Sequence, residues 1–549
     1  MFYRYIVRQM CTLELQNEWL GHFIFGGARQ LLHEIGHSNC LSHTVLCEGG
    51  SRCGDSGCNF GCNGTLCDDG CSDTPCWEDM LVENGVHPGD CSQDINADPA
   101  LFSNNLMDYC HSKTALTVQQ LGKFYHQLIN SKFDDIHVDY CNVDHLWDVT
   151  ISRNETLVWS ANRIFKGDIF LLPGALLTLT GHLYMPTDAK IIVKPGARLI
   201  INGGCISNRC GLQWQGIEVW GNNKLSQTPE SNQGIVELLD GAFIENAHTG
   251  IWVRRNDEDC HLVLGSGGGI VKVKGSRFLN NYIDVEFAPY TWHNSQGSPV
   301  SNKGYFRNSE FITARKLNGN FFPKTHLILN DNYRIKVNGC RFENEALDDP
   351  NDTDYTDYHN RGNGIVAHSS TFLVDDYCSQ TIQQGQPCPI ESLMHSAFTN
   401  LYHGVYESCG DFLSTFSVRN ALFTDNFCGI RAEGMAVGPS ILSNTFYINS
   451  MDDNVDAEEP LGIDIDNTTN FEIEENHFIG GTYNADPPLI GIAFTHTSFN
   501  CEGQNFKPYT QTLYRNWFDN LRRGIHAQGD NDGVHPPFAG SIWIRVSMQ

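Results

Sequence analysis

At 549 residues the chain is too long for one hydrophobic core, so two or more domains are expected. Hydrophobic residues at 40% and charged residues at 18% exclude wholesale disorder. The 36 Lys plus Arg stand against 64 Asp plus Glu, a formal charge of -28, which argues against nucleic acid and anionic lipid as main partners.

The chain opens Met1-Phe2-Tyr3-Arg4-Tyr5-Ile6-Val7-Arg8 and continues to Gln9 and Glu14, without the apolar core or cleavage site of a signal peptide. No stretch is long and apolar enough to cross a bilayer as a helix. Cysteines crowd the segment that follows: Cys40, Cys47, Cys53, Cys58, Cys62, Cys67, Cys71, Cys76 and Cys91. That density belongs to an oxidising compartment with disulfides, and the odd total of 21 leaves at least one thiol without a partner in the chain. The protein is therefore expected to be secreted or held at the cell surface. Lacking an export signal, its native N-terminus is expected to lie upstream of Met1.

The first helical pattern runs Gly27-Ala28-Arg29-Gln30-Leu31-Leu32 into His33-Glu34-Ile35-Gly36-His37. On a helix, positions i and i+4 share a face, so His33 and His37 can bind one ion together. Glu34 adjoins the first ligand and can reach a water on that ion. His43 follows after the helix must end, and a chain reversal there supplies a third imidazole. Three His plus water is the open geometry of catalytic zinc, in which the water's pKa falls to about 7. Glu34 is then placed to take the proton before the water attacks a carbonyl.

With this spacing the segment resembles the metzincin metallopeptidases, and within them the pappalysin-like (M43-type) family. Four stretches carry the resemblance in order over roughly residues 20–130: His33 to Thr44; Cys71-Ser72-Asp73-Thr74-Pro75; Asn105-Leu106-Met107-Asp108-Tyr109; and Ala115-Leu116-Thr117-Val118-Gln119 with its Thr-capped helix. The resemblance implies a Met-turn in which Met107 forms the apolar base of the site, with Tyr109 donating to the oxyanion. It also makes a structural Ca2+ expected in the loop holding Asp68, Asp69 and Asp73, although no EF-hand spacing is present and solvated carboxylates remain the alternative. Two features depart from the family. Cys40 stands where the family has a Gly that turns the chain toward the third ligand, a change costing on the order of 1 kcal/mol. Only some 25 residues precede the zinc helix, too few for the substrate-binding sheet that metzincins place there.

From about residue 146 the texture changes to short β-prone runs broken by Gly, Asn and Asp. A unit of aromatic, polar corner residue, then Gly with Ile or Val recurs at Phe243…Asn246…Gly250, Phe398…Asn400…Gly404, Phe423…Asp425…Gly429 and Phe518…Asn520…Gly524. Phe278…Asn281…Asp284 is a degenerate copy. An inward aromatic and a left-handed corner in each coil describe a parallel β-helix, with a β-propeller as the alternative. The opening coils, Gly174 to Thr180 and Ile191 to Ile201, resemble those of secreted Bacteroidota proteins.

The expected fold is thus a partial α+β metzincin-like domain over 1–145, followed by an all-β right-handed parallel β-helix over 146–549. The expected activity is zinc-dependent hydrolysis of a protein or peptide, with the β-helix engaging a surface or substrate, such as a cell-surface glycan. The alternative is a carbohydrate-binding or carbohydrate-active β-helix carrying a vestigial peptidase module. Asp464 and Asp466 in Ile463-Asp464-Ile465-Asp466, and Asp348-Asp349, are its candidate carboxylates, though outward Asp on a β-helix are more often a solvated face.

Overall fold

The computed structural model describes residue 120, residues 147–528 apart from 318–320, 349–356, 383–385, 410–413, 451–458, 482–487 and 498–510, and residues 543–545. The chain divides into two units, Met1–Val138 and Asp139–Gln549. In the first, the one described residue, Gln120, is helical and falls within the helix expected after Ala115. The α+β metzincin-like domain lies otherwise outside the described residues.

The second unit is built from parallel strands in three long sheets. The first sheet runs from Val149–Ile151 to Arg523–Gln528, the second from Thr156–Trp159 to Trp543–Arg545 and the third from Arg163–Ile164 to Trp517–Asp519. Among the described residues they hold 13, 13 and 12 strands, and hydrogen-bonded neighbours are always one full circuit apart in sequence. Successive strands therefore belong to different sheets, and the chain coils as a three-sided parallel β-helix. Two antiparallel hairpins, Trp292–His293 with Pro299–Val300 and Tyr377–Cys378 with Leu393–Met394, are inserted between coils. The Cys378–Cys388 disulfide closes the second. The thiols of Cys205 and Cys340, by contrast, lie buried in the β-helix with burial pushing both up to about 12, so they pack as small inert groups.

Stacking in register places like residues above one another. In the third sheet the early coils carry Leu183, Ile206 and Ile244 at one register position, and the later coils carry a column of phenylalanines. Phe278, Phe311, Phe342, Phe398, Phe423, Phe446, Phe478 and Phe518 stack with ring centroids between 4.5 and 5.1 Å apart. Each such pair contributes about 0.5–1.5 kcal/mol beyond the burial of its area. The first copy of the repeat is corrected here: Phe243 is half-buried, and Ile244 is the residue that faces the core.

The glycine of the repeat exists because of this column. A Cβ on Gly404 would lie 2.6 Å from the Gly429 carbonyl oxygen and 2.8 Å from the Phe423 ring, and one on Gly429 would meet Gly462 and Phe446 in the same way. Corner residues Asn246, Asn400, Asp425 and Asn520 adopt positive φ of 54–59°, as the repeat requires. In the degenerate copy that role passes to Asn280 (φ 52°), while Asn281 turns its side chain onto the backbone N–H of Ala247. At the opposite corner Asn444, Asn476 and Asn516 form a buried ladder. The backbone N–H of each of the first two donates to the side-chain oxygen of the next, at 2.9 and 3.0 Å, so corner amides that leave the sheets stay paired.

Two coils break the glycine column. Asp284 and His326 occupy it, both buried, with Asp284 Oδ2 2.6 Å from His326 Nδ1 and Asp284 Oδ1 accepting from Asn281 at 2.8 Å. Removing one partner strands the other in the core, a loss of about 3–5 kcal/mol. Urea unfolding should therefore show Asp284→Ala and His326→Ala each strongly destabilised, with the double variant losing clearly less than the sum. Single variants that unfold with the wild type would show that the pair is not what stabilises these coils.

Candidate functional site

His33, Glu34, His37, His43, Met107 and Tyr109 lie outside the described residues, as do Cys40 and the loop carboxylates Asp68, Asp69 and Asp73. Asp348 ends a short 3-10 turn, and Asp349 falls outside the described residues. Asp464 and Asp466 are both described. They sit on strand Leu461–Asp466 of the first sheet and, as the alternation of the strand dictates, share its outer side.

In-register pairing brings further charged residues to them. One row across the outer face reads Tyr406, Arg431, Asp464, and the next reads Ser408, Glu433, Asp466, Thr495. Arg431 Nη1 lies 3.5 Å from Asp464 Oδ2, and Arg431 Nη2 lies 3.4 Å from Glu433 Oε2. The Tyr406 hydroxyl donates to Glu433 at 2.9 Å. His496 Nδ1 stands 4.0 Å from Asp466 Oδ1. Aromatic rings wall one side: His359 against Tyr402 at 4.6 Å, Tyr402 against His403 at 4.1 Å and His403 against Tyr406 at 5.2 Å.

The electrostatics follow from crowding and burial. Burial pushes the Asp464 carboxyl up to about 6; Arg431 opposes the rise, and the charges of Asp466 and Glu433 add to it. His403 is driven down to about 3 by burial, then by Arg431 and His359, so it is neutral at physiological pH and its Nδ1 pairs with Asn363 at 2.9 Å. Burial and the hydrogen bond to Glu433 raise Tyr406. A carboxyl that protonates near pH 6 beside two further carboxyl groups and a guanidinium can hold and deliver a proton, the property that general acid–base chemistry needs. Among the described residues no group of three or more His, Cys, Asp or Glu has the arrangement of a metal site.

Sequence reasoning found Asp464 and Asp466 but missed Tyr406, Arg431 and Glu433. The signal was present. Tyr406, Arg431 and Asp464 each stand two residues after a column glycine, at Gly404, Gly429 and Gly462, so aligning the repeats on glycine predicts the row. No helix of the described residues is long and apolar enough to cross a membrane. Comparison with known proteins returns no matching family model, curated protein or solved structure.

A raised carboxyl pKa has a fixed sign in stability. The folded state holds the Asp464 proton more tightly than the unfolded chain, so this contribution is complete below pH 3.8 and is lost as pH rises through about 6. Asp464→Asn should remove that loss and stabilise the β-helix at pH 7 by about 1–3 kcal/mol. Thermal melts at pH 4 and pH 7 read this directly. A variant whose melting temperature keeps the wild-type pH dependence would contradict the assignment.

Proposed function

We propose that the chain is a zinc-dependent endopeptidase of the pappalysin-like metzincin type, secreted or held at the cell surface, with the β-helix as a rigid carrier that engages a surface or substrate. One observation carries the reading: His33-Glu34-x-x-His37 with His43 at metzincin spacing, followed in order by Cys71 to Pro75, Asn105 to Tyr109 and the helix after Ala115. A Cys-rich composition and the Cys378–Cys388 disulfide support an oxidising compartment. The β-helix of this reading is right-handed, the sense that crossovers between parallel strands take.

Three imidazoles with a neighbouring uncoordinated carboxylate are a donor set suited to Zn2+, and His33, His37 and His43 would hold it. When bound, the ion supplies Lewis acidity and lowers the pKa of water at its open position. Glu34 accepts the proton of the attacking water and returns it to the leaving amine. By the same resemblance Tyr109 would donate to the scissile carbonyl oxygen as charge gathers on it, and Met107 would supply the apolar base of the site. The carboxylates of Asp68, Asp69 and Asp73 suit Ca2+, which would order the loop between the motifs.

The Asp464 site favours a second reading, a carbohydrate-active β-helix whose N-terminal module no longer cuts. Raised Asp464 in register with Arg431 and one row from Asp466 and Glu433 offers a proton donor beside further carboxyl groups, the residue types that glycoside hydrolysis draws on.

The purified full chain should carry about one zinc and cleave a denatured protein in a chelator-sensitive manner. Glu34→Ala should keep the metal and lose about 10²–10⁴-fold in rate. Cleavage that survives both chelation and Glu34→Ala would overturn the peptidase reading. Polysaccharide turnover that survives both but is lost in Asp464→Asn would establish the second.

A further inference from the structure

The outer face of the second sheet carries a concentration of positive charge that the overall balance of 36 basic against 64 acidic residues conceals. Lys274 pairs in register with Arg307, and Tyr305 with Lys336. Arg307 stacks on Tyr305 with its guanidinium 4.3 Å from the ring centre, and Arg334 lies 5.2 Å from the ring centre of Tyr333. Lys274, Arg334 and Lys336 are exposed. Neither the Arg334 nor the Lys336 side chain forms an ion pair or hydrogen bond with a described residue. Their neighbour Lys272 shows the contrast, being neutralised by Glu230 and Glu237 at 3.0 and 3.4 Å.

A groove of about 360 Å³ opens beside these cations. Lys336, Leu373, Ser417 and Ser440 form its floor, one residue from each of four successive coils in direct register. Four strands span about 14 Å at the usual strand spacing. Arg334, Thr371 and Thr415 line it as well, together with Phe372 and Phe416, so most of its wall is apolar, and no carboxylate lines it. At the far end Ser440 donates to Glu472 at 3.0 Å, so the groove runs from a cationic end toward an acidic one.

We propose that this groove binds an acidic polysaccharide, with Lys336 and Arg334 holding a carboxylate or sulfate and the hydroxyls of Thr371 and Ser417 meeting the sugar ring. The volume is that of a small-ligand site. Opposite charge selects the ligand's sign, and the face chooses saccharide over peptide. The strand backbones flooring the groove are hydrogen-bonded from coil to coil, so only side chains face the ligand. A peptide laid there would find no free strand edge to extend, so it could not bind by adding a strand to the sheet. A sugar presents hydroxyls that pair with side-chain hydroxyls: the Thr371 side-chain hydroxyl has no hydrogen-bond partner among the described residues, its backbone N–H alone donating to Asn332, and Ser417 Oγ accepts from Arg419 at 3.0 Å while keeping its own proton to give. Nucleic acid carries the required sign as well, but the aromatic residues of the lining, Phe372 and Phe416, are buried and leave no ring for a base to stack on.

The groove shares no residue with the zinc motif or with the Asp464 row, so substitutions in it test the proposal apart from either reading. Calorimetric titration of the full chain with oligogalacturonate, a chondroitin sulfate oligosaccharide, a neutral malto-oligosaccharide and polyglutamate distinguishes the classes. Binding is expected to one or both acidic saccharides, with the tighter naming uronate or sulfate as the recognised group, and to neither control. Arg334→Gln with Lys336→Gln should weaken it at least about tenfold without changing the thermal melt, because both side chains are exposed. Lys224→Gln, an exposed cation on another loop, should leave it unchanged. Absence of saccharide binding, equal binding of polyglutamate, or an affinity indifferent to the double substitution would each overturn the proposal.

Discussion

Every coil of the β-helix must repeat the one beneath it at the spacing of hydrogen-bonded strands, about 4.8 Å. That distance nearly equals the 4.5–5.1 Å at which the phenylalanine rings of the third sheet stack, so one aromatic per coil satisfies strand pairing and ring stacking together. At Gly404, Gly429 and Gly462 the ring and the next coil's carbonyl in turn leave no room for a Cβ, which is why glycine recurs there. Registers in all three sheets follow from these two columns, and with them the identity of every outward-facing row.

The same constraint explains where the molecule departs from uniformity. Asp284 and His326 can replace glycine only because they replace it in adjacent coils, where each satisfies the other. A lone polar residue at that position would be buried without a partner. Long loops and hairpins, such as the disulfide-closed insertion after Asp375, enter at corners and leave the stacked strands undisturbed. The outer faces are freed from the stacking requirement, and there charge varies from coil to coil. Both the Arg431–Asp464 row and the cationic groove lie on such faces.

Much of this was legible from residue order alone. The spacing from aromatic to polar corner to glycine exposed the β-helix, because each of those residues has one steric task repeated in each coil. The first copy resolved once Ile244, not Phe243, proved to be the core residue, since an aliphatic residue fills that place as well as an aromatic. Contacts between coils were harder to read. Arg431 and Glu433 reach Asp464 and Asp466 across a register that insertions of unequal length disguise. The Asn444–Asn476–Asn516 ladder was hidden for the same reason. The basic groove left no trace in a chain whose total charge has the opposite sign. The proposed zinc motif is the converse case: its three histidines are close in sequence, so spacing alone speaks for it, while His33, His37 and His43 lie outside the described residues.

The functional account therefore depends on whether those three imidazoles converge on one ion, and on what Cys40 does beside them. X-ray absorption at the zinc edge of the metal-loaded full chain addresses this without recourse to activity. Nitrogen and oxygen neighbours alone, at about 2.0–2.1 Å, are the expected result. A sulfur neighbour at about 2.3 Å would show a cysteine in the coordination sphere and contradict the account.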